Sequence, residues 1–279
     1  MEISRNSSLF SKTFTELKGA FVKDIRTYYR YPSLVVGDAL SLPLWFVLFV
    51  LAANLFTSTT FAAPGSFERA VSYFFWGFVF LTLLSTNLSS LGQFMVSEQA
   101  VGTLEQILLT PASRVAMIAG RWVRVMVTDL LVMGGTAIFL LVVIRTQILV
   151  LNPLPVLLIV VLLEVALLGA GVLLAGLSLR IRSVAIYINY SWLAVMIFSG
   201  VFFPPTAIPM PFQIISYILP TTYFVDSVKY YAVGTPTLLP PTLELGLLFV
   251  FTIGFFLGGL YIFKAIERNA KKRGQLSFS

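Results

Sequence analysis

From Leu154 to Leu177 the chain runs through 24 residues in which Glu164 is the single charged side chain. A helix of that length extends about 36 Å, enough to cross a hydrocarbon core of about 30 Å. Inside such a core every backbone amide needs a partner within the protein, which a helix provides for itself. The same reading applies to residues 34–56, 70–96, 114–144, 184–203 and 243–263. With 154–178 these make six expected spans, and the whole chain, 1–279, reads as one all-α integral membrane unit. Composition agrees, with 58% hydrophobic and 11% charged residues, far from the balance of soluble domains.

Charge sets an expected orientation. With the N-terminus in the cytoplasm, 16 of the 19 Lys and Arg fall on inside segments, and Arg69, Arg145 and Lys229 fall outside. This is the bias that the positive-inside rule describes. It puts both termini in the cytoplasm and accounts for the net charge of +7 without nucleic acid; the cell membrane is the expected location. Residues 9–30 carry Phe10, Phe14, Leu17, Phe21 and Ile25 at helical spacing with basic residues between them, the pattern of an amphipathic helix lying on membrane lipid. Cys 0 and His 0 remove disulfides, thiolate nucleophiles, His bases and the usual zinc sites. No Walker motif occurs. The chain is expected to transport rather than catalyse, with no metal and no cofactor of its own.

One polar passage, Ser97–Arg114, is set among the apolar segments. Gly102 can take the positive φ that ends a helix, and Thr103 with Gln106 forms a T-x-x-Q capping box for the next one. Glu105 lies in that first turn, where the helix dipole favours an acid. Leu104, Ile107, Leu108 and Leu109 give an apolar flank, and Pro111 stops the helix by forcing Thr110 out of it. The acids Glu98 and Glu105 run against the positive-inside trend. A docking element for a cytosolic partner explains them better than a loop lying on the membrane.

Other features are more open. Asp129 and Glu164 lie deep in spans, where bare charge costs several kcal/mol. They read either as a proton or cation relay or, preferably, as structural contacts to Arg121, Arg124 or backbone amides. Small-residue runs at Gly134-Gly135, Gly169-Ala170-Gly171, Ala175-Gly176 and Gly254-x-x-x-Gly258 read as helix packing. Phe75, Phe78, Asn87, Tyr187, Asn189, Tyr190, Phe198 and Phe202 are candidates for a cavity taking an amphiphilic substrate. Between the last two spans, Pro204, Pro205, Pro209, Pro211 and Pro220 forbid one straight helix. A re-entrant segment over 204–220 is the expected form.

Two passages carry a family resemblance. Glu98-Gln-Ala-Val-Gly-Thr-Leu-Glu-Gln-Ile-Leu-Leu-Thr-Pro-Ala-Ser-Arg114 resembles the E-x-x-x-G-T-L-E-x-L-L-x-T-P-x-S-R stretch of ABC-2 type export permeases. Ser199-Gly200, Phe203-Pro204, Pro209 and Pro220-Thr-Thr-Tyr223 look like that family's S-G-x-x-F-P…P…P-x-x-Y stretch, with Lys229 where the family often has Arg. The resemblance implies a permease that pairs with a second copy or a homologue and with two ABC ATPase subunits, which hold the ATP and Mg. It makes 98–111 the coupling helix, with Glu98, Gly102, Thr103, Leu104, Glu105, Gln106, Leu109, Thr110, Pro111 and Arg114 seated against the ATPase. Residues 9–30 become the connecting helix, and the segment with Pro204, Pro209, Pro220, Tyr223 and Lys229 the outer gate. The implied cargo is a drug, antibiotic or lipid; a polysaccharide or lipid-linked glycan is the alternative. An ion-coupled carrier or channel using Asp129 and Glu164 is the alternative from another class.

Overall fold

A computed structural model of the chain describes residues 2–57, 66–100, 102, 114–178, 181 and 183–272. The expected coupling residues Thr103, Leu104, Glu105, Gln106, Leu109, Thr110 and Pro111 lie outside the described residues. Among those described, all regular structure is helical. The helices are α1 (Glu2–Arg30), α2 (Pro32–Thr57), α3 (Ser66–Gly92), α4 (Phe94–Ala100), α5 (Arg114–Phe139), α6 (Pro153–Ser178), α7 (Val184–Phe198), α8 (Met210–Ile218), α9 (Pro220–Val233) and α10 (Pro241–Lys272).

Among the described residues, four stretches are long and apolar enough to cross a membrane: Phe67–Gly92, Arg114–Ile144, Pro153–Ser178 and Pro241–Asn269. Val35–Val47 and Val184–Phe198 are apolar but shorter. The protein is therefore an all-α membrane protein. Helix α7 stops at Phe198, short of the expected 203, because Gly200 turns the chain with φ +75°, a conformation that costs a side-chain-bearing residue. Prolines then set the elements that follow. Pro209 caps α8, and Pro220 opens α9, the first-turn position where a missing N–H costs nothing. Leu219, between them, is extended, as a residue before proline prefers.

Helix α3 forms the centre. Its Val71, Phe75, Val79, Leu83 and Leu88 lie in one buried cluster with Ile159, Leu163, Ile188 and Phe224. A second cluster, Leu91, Phe94, Met95, Ile118, Val172, Ala175 and Phe263, joins α3 and α4 to α5, α6 and α10. Lipid tails are as apolar as leucine, so close packing and polar contacts, not transfer from water, hold such helices together. The crossing of α6 and α10 shows this. Gly169 lies against the Phe255 and Gly259 backbone, and a Cβ on Gly176 would stand 3.1 Å from Phe263 Cα. Gly134, Gly135, Gly254 and Gly258 face open space instead, so the close approach on α10 uses Gly259.

Helix α5 runs on through a π-turn, Leu140–Ile144, and ends at Arg145 with φ 58°. The connection to α6 is pinned to its neighbours. Ser72 Oγ accepts from the Leu149 amide at 2.8 Å, and the Leu151 and Asn152 amides donate to Ala232 and Tyr231 carbonyls. Helix α1 crosses α5 at Gly120, where a Cβ would meet Ala20 Cβ and the Leu17 carbonyl at 2.7 Å.

Candidate functional site

One face of α3 presents Phe78, Leu81, Thr82, Ser85 and Thr86 at helical spacing. Together with Ser41 and Trp45 of α2, Trp192 and Met196 of α7, and Phe202, they line a cavity of about 320 Å³. Phe78 packs edge-on against Phe46 at 6.0 Å and Phe202 at 5.5 Å, which holds that wall in place. Aromatic rings supply a large apolar surface, and the four hydroxyls supply donors and acceptors without charge. The space is suited to a molecule that is mostly apolar with a polar end.

Thr86 belongs both to this wall and to a buried polar cluster behind it. Its hydroxyl donates to Asp129 Oδ2 at 2.8 Å. Asn87 donates its amide to the Leu83 carbonyl at 2.9 Å and stands 3.5 Å from both Asp129 Oδ2 and Glu164 Oε1. Trp122 Nε1 donates to Glu164 Oε2 at 3.1 Å. Asp129 and Glu164, 2% and 3% exposed, are thus joined through one amide that links α3, α5 and α6. The arginines expected to serve the acids have other partners: Arg121 holds Asp24, and Arg124 holds Ser90 and lies over the Tyr28 ring.

Of the expected cavity residues, Phe202 lines the space, as does Phe78. Phe75 is buried against Phe46 and Trp76, Asn87 lies in the polar cluster, and Phe198 stacks on Phe212. Asn189, Tyr187 and Tyr190 are on the exposed side of α7. Trp45, Trp192 and Trp122 were not anticipated. The stripe at 78, 81, 82, 85 and 86 is the pattern that marks the cavity wall in the sequence.

The flanks of the polar passage are held from inside the chain. Gly102 has φ +77° and its amide donates to the Gln99 carbonyl, closing α4. Glu98, 5% exposed, receives Lys23 Nζ at 3.0 and 3.2 Å, with Arg121 at 3.7 Å. Arg121 also donates to Asp24 at 2.8 Å and Ser97 at 3.1 Å, and covers the Phe94 ring. The Glu98 carboxylate therefore serves to fix α4 to α1 and α5. At the other flank Arg114 is paired with Glu267 of α10.

The opposite end of the bundle carries a second charged cluster. Lys229, 2% exposed, donates to the Gly200 and Val201 carbonyls at 2.7 and 2.8 Å, and its ammonium sits 3.2 Å from the Tyr73 ring centre. Burial pushes this amine well below the usual lysine range, and nearby Asp226 opposes that shift. Tyr73 donates to the same Gly200 carbonyl at 3.1 Å. Asp226 accepts from the Leu238 amide, while Glu244 accepts from Leu239 and Ser227. Pro204, Pro205, Thr206 and Pro236 complete a space of about 200 Å³ beside Lys229. Tyr223 ties α9 to α8 by donating to the Tyr217 carbonyl at 2.8 Å. Pro209 is exposed.

The architecture is thus a helical membrane bundle with a cavity walled by α2, α3 and α7 and clamped charged groups at both ends. No curated protein matches the chain. The family model described as ABC-2 type transporter matches residues 15–232, from α1 nearly to the end of α9. The chain therefore belongs to the ABC-2 type transporter family and is a transmembrane permease of an ABC transporter.

Proposed function

We propose that the chain is the permease subunit of an ATP-driven exporter that moves a hydrophobic or amphiphilic molecule, a drug, antibiotic or lipid, out of the cytoplasm or inner leaflet. The observation that carries this reading is the cavity of about 320 Å³, walled by Trp45, Trp192, Phe78 and Phe202 and dotted with hydroxyls. A polysaccharide would call for a wider, more polar path. In this reading the chain crosses the cell membrane six times with both termini in the cytoplasm. The shorter apolar helices in α2 and α7 complete the count. The 98–111 passage is the coupling helix, seated against one of two ABC ATPases in an assembly with a second permease copy or a homologue. ATP and Mg are held by the ATPases. Glu105 is the acid offered to the ATPase, since Glu98 is engaged with Lys23 and Arg121.

The experiment is export of the lipophilic dye rhodamine 6G from cells that produce the chain with its ATPase. Loss of export on ATP depletion, with export intact when the proton gradient is collapsed, supports the reading. The reverse pattern overturns it and favours ion coupling through Asp129 and Glu164.

A further inference from the structure

Arg114 opens α5, directly after the polar passage, and its side chain is 9% exposed; its partner Glu267 on α10 is 17% exposed. One helical turn away on each helix lie Ile118 and Phe263, both fully buried in the same apolar cluster. The four-residue spacing places each charged residue on the same helix face as its apolar neighbour. Ion pair and cluster therefore form one two-storey contact. Among the described residues α5 and α10 share no extended packing, so this contact is where they are joined. Helix α10 is in turn locked to α6 by the backbone approach at Gly169, Gly259 and Gly176. Helix α6 carries Glu164, which Asn87 and Asp129 connect to Thr86 of the cavity wall.

We propose that Arg114 and Glu267 are a positioning pair that ties the end of the 97–114 passage to the last helix. A displacement of the passage is delivered to α10, and through its glycine contacts to α6, by a route separate from the Glu98–Lys23 link to α1. Every step of this route uses an interaction that resists sliding: a charge-assisted contact of a guanidinium nitrogen with a carboxylate oxygen, interlocked apolar side chains, and backbone against backbone. The proposal rests on the reading of the passage as the ATPase-coupling element.

The chain has no Cys, so paired nitroxide labels can be placed at will. Labels at Gly254→Cys on α10 and Tyr187→Cys on α7, both facing open space or exposed, report movement of the last helix in vesicles containing the full chain and its co-purified ATPase. The label distance is expected to change on adding ATP. That change is lost in Glu267→Arg, while the ATPase stays bound, and it returns when Arg114→Glu is added to restore the pair with charges exchanged. Glu267→Gln carries the same test if a reversal fails to insert. A change that persists in the single variants, or no change in the unaltered chain with ATPase bound, overturns the pair alone. Failure of any ATPase to co-purify overturns the coupling reading and the proposal with it.

Discussion

Replacing Lys229 with Met separates two opposing effects at the Tyr73–Lys229 cluster. The substitution removes two charge-assisted hydrogen bonds, to the Gly200 and Val201 carbonyls, and a cation–ring contact with Tyr73. At about 1.5–3 kcal/mol for each bond and about 2 kcal/mol for a desolvated ring contact, the gross loss is about 5–8 kcal/mol. It also relieves the burial of an ammonium that is 2% exposed, a gain of several kcal/mol. The remaining groups decide the sign. Gly200 keeps the Tyr73 hydroxyl at 3.1 Å, but the Val201 carbonyl loses its Lys229 donor, and Asp226 loses its nearby positive charge. A net destabilisation of about 2–4 kcal/mol is expected, or a midpoint lower by about 5–10 °C. Tryptophan-fluorescence melting in detergent measures it. Tyr73→Phe serves as the comparison, because Lys229 still holds Gly200, and should cost about 0.5–1.5 kcal/mol. An unchanged or higher midpoint for Lys229→Met would refute the reasoning, showing that desolvation of the lysine outweighs its contacts.

Three further outcomes test other parts of the molecule. Gly169→Ala should cost about 1–3 kcal/mol by driving a methyl into the Phe255 carbonyl, while Gly258→Ala, facing open space, should melt with the unaltered chain. Brominated dodecanol should quench tryptophan fluorescence saturably by entering the cavity between Trp45 and Trp192. Ser85→Phe should abolish the saturable component, and a variant that quenches like the parent counts against the cavity as the binding site. Glu105→Lys should leave membrane insertion intact but detach or uncouple the ATPase, read as ATPase retained on affinity purification. Full retention with normal stimulated hydrolysis would remove Glu105 from the docking surface.

Much of the bundle is legible along the chain because membrane helices announce themselves locally, by length and apolarity. The ends of α7 and the starts of α8 and α9 follow from Gly200, Pro209 and Pro220, residues whose backbone limits act without tertiary context. The site is harder to read. Glu98 looked available to a partner because its mates, Lys23 and Arg121, are 75 and 23 residues away in sequence. Arg121 and Arg124 share a helix with Asp129, yet Arg121 points toward α1 and α4, and Arg124 hydrogen-bonds Ser90 of α3 while Asp129 acts on it through charge. Trp45 and Trp192 carry no local mark distinguishing a cavity wall from a lipid-facing ring. Gly259 was hidden beside the more regular Gly254-x-x-x-Gly258 pattern, since spacing alone does not say which face of a helix meets its neighbour.

Helix α3 has two thirds of its apolar window buried, and Thr86 faces the cavity while bonded to Asp129. The next residue, Asn87, points about 100° further round the helix and meets Glu164. Two fixed directions on consecutive residues key the helix against rotation about its own axis. Helix α3 can lean or slide, carrying Phe78 and Ser85 together, but it cannot roll without breaking both acid contacts. Any opening and closing of the cavity is thereby confined to motions that keep the same five side chains along its wall.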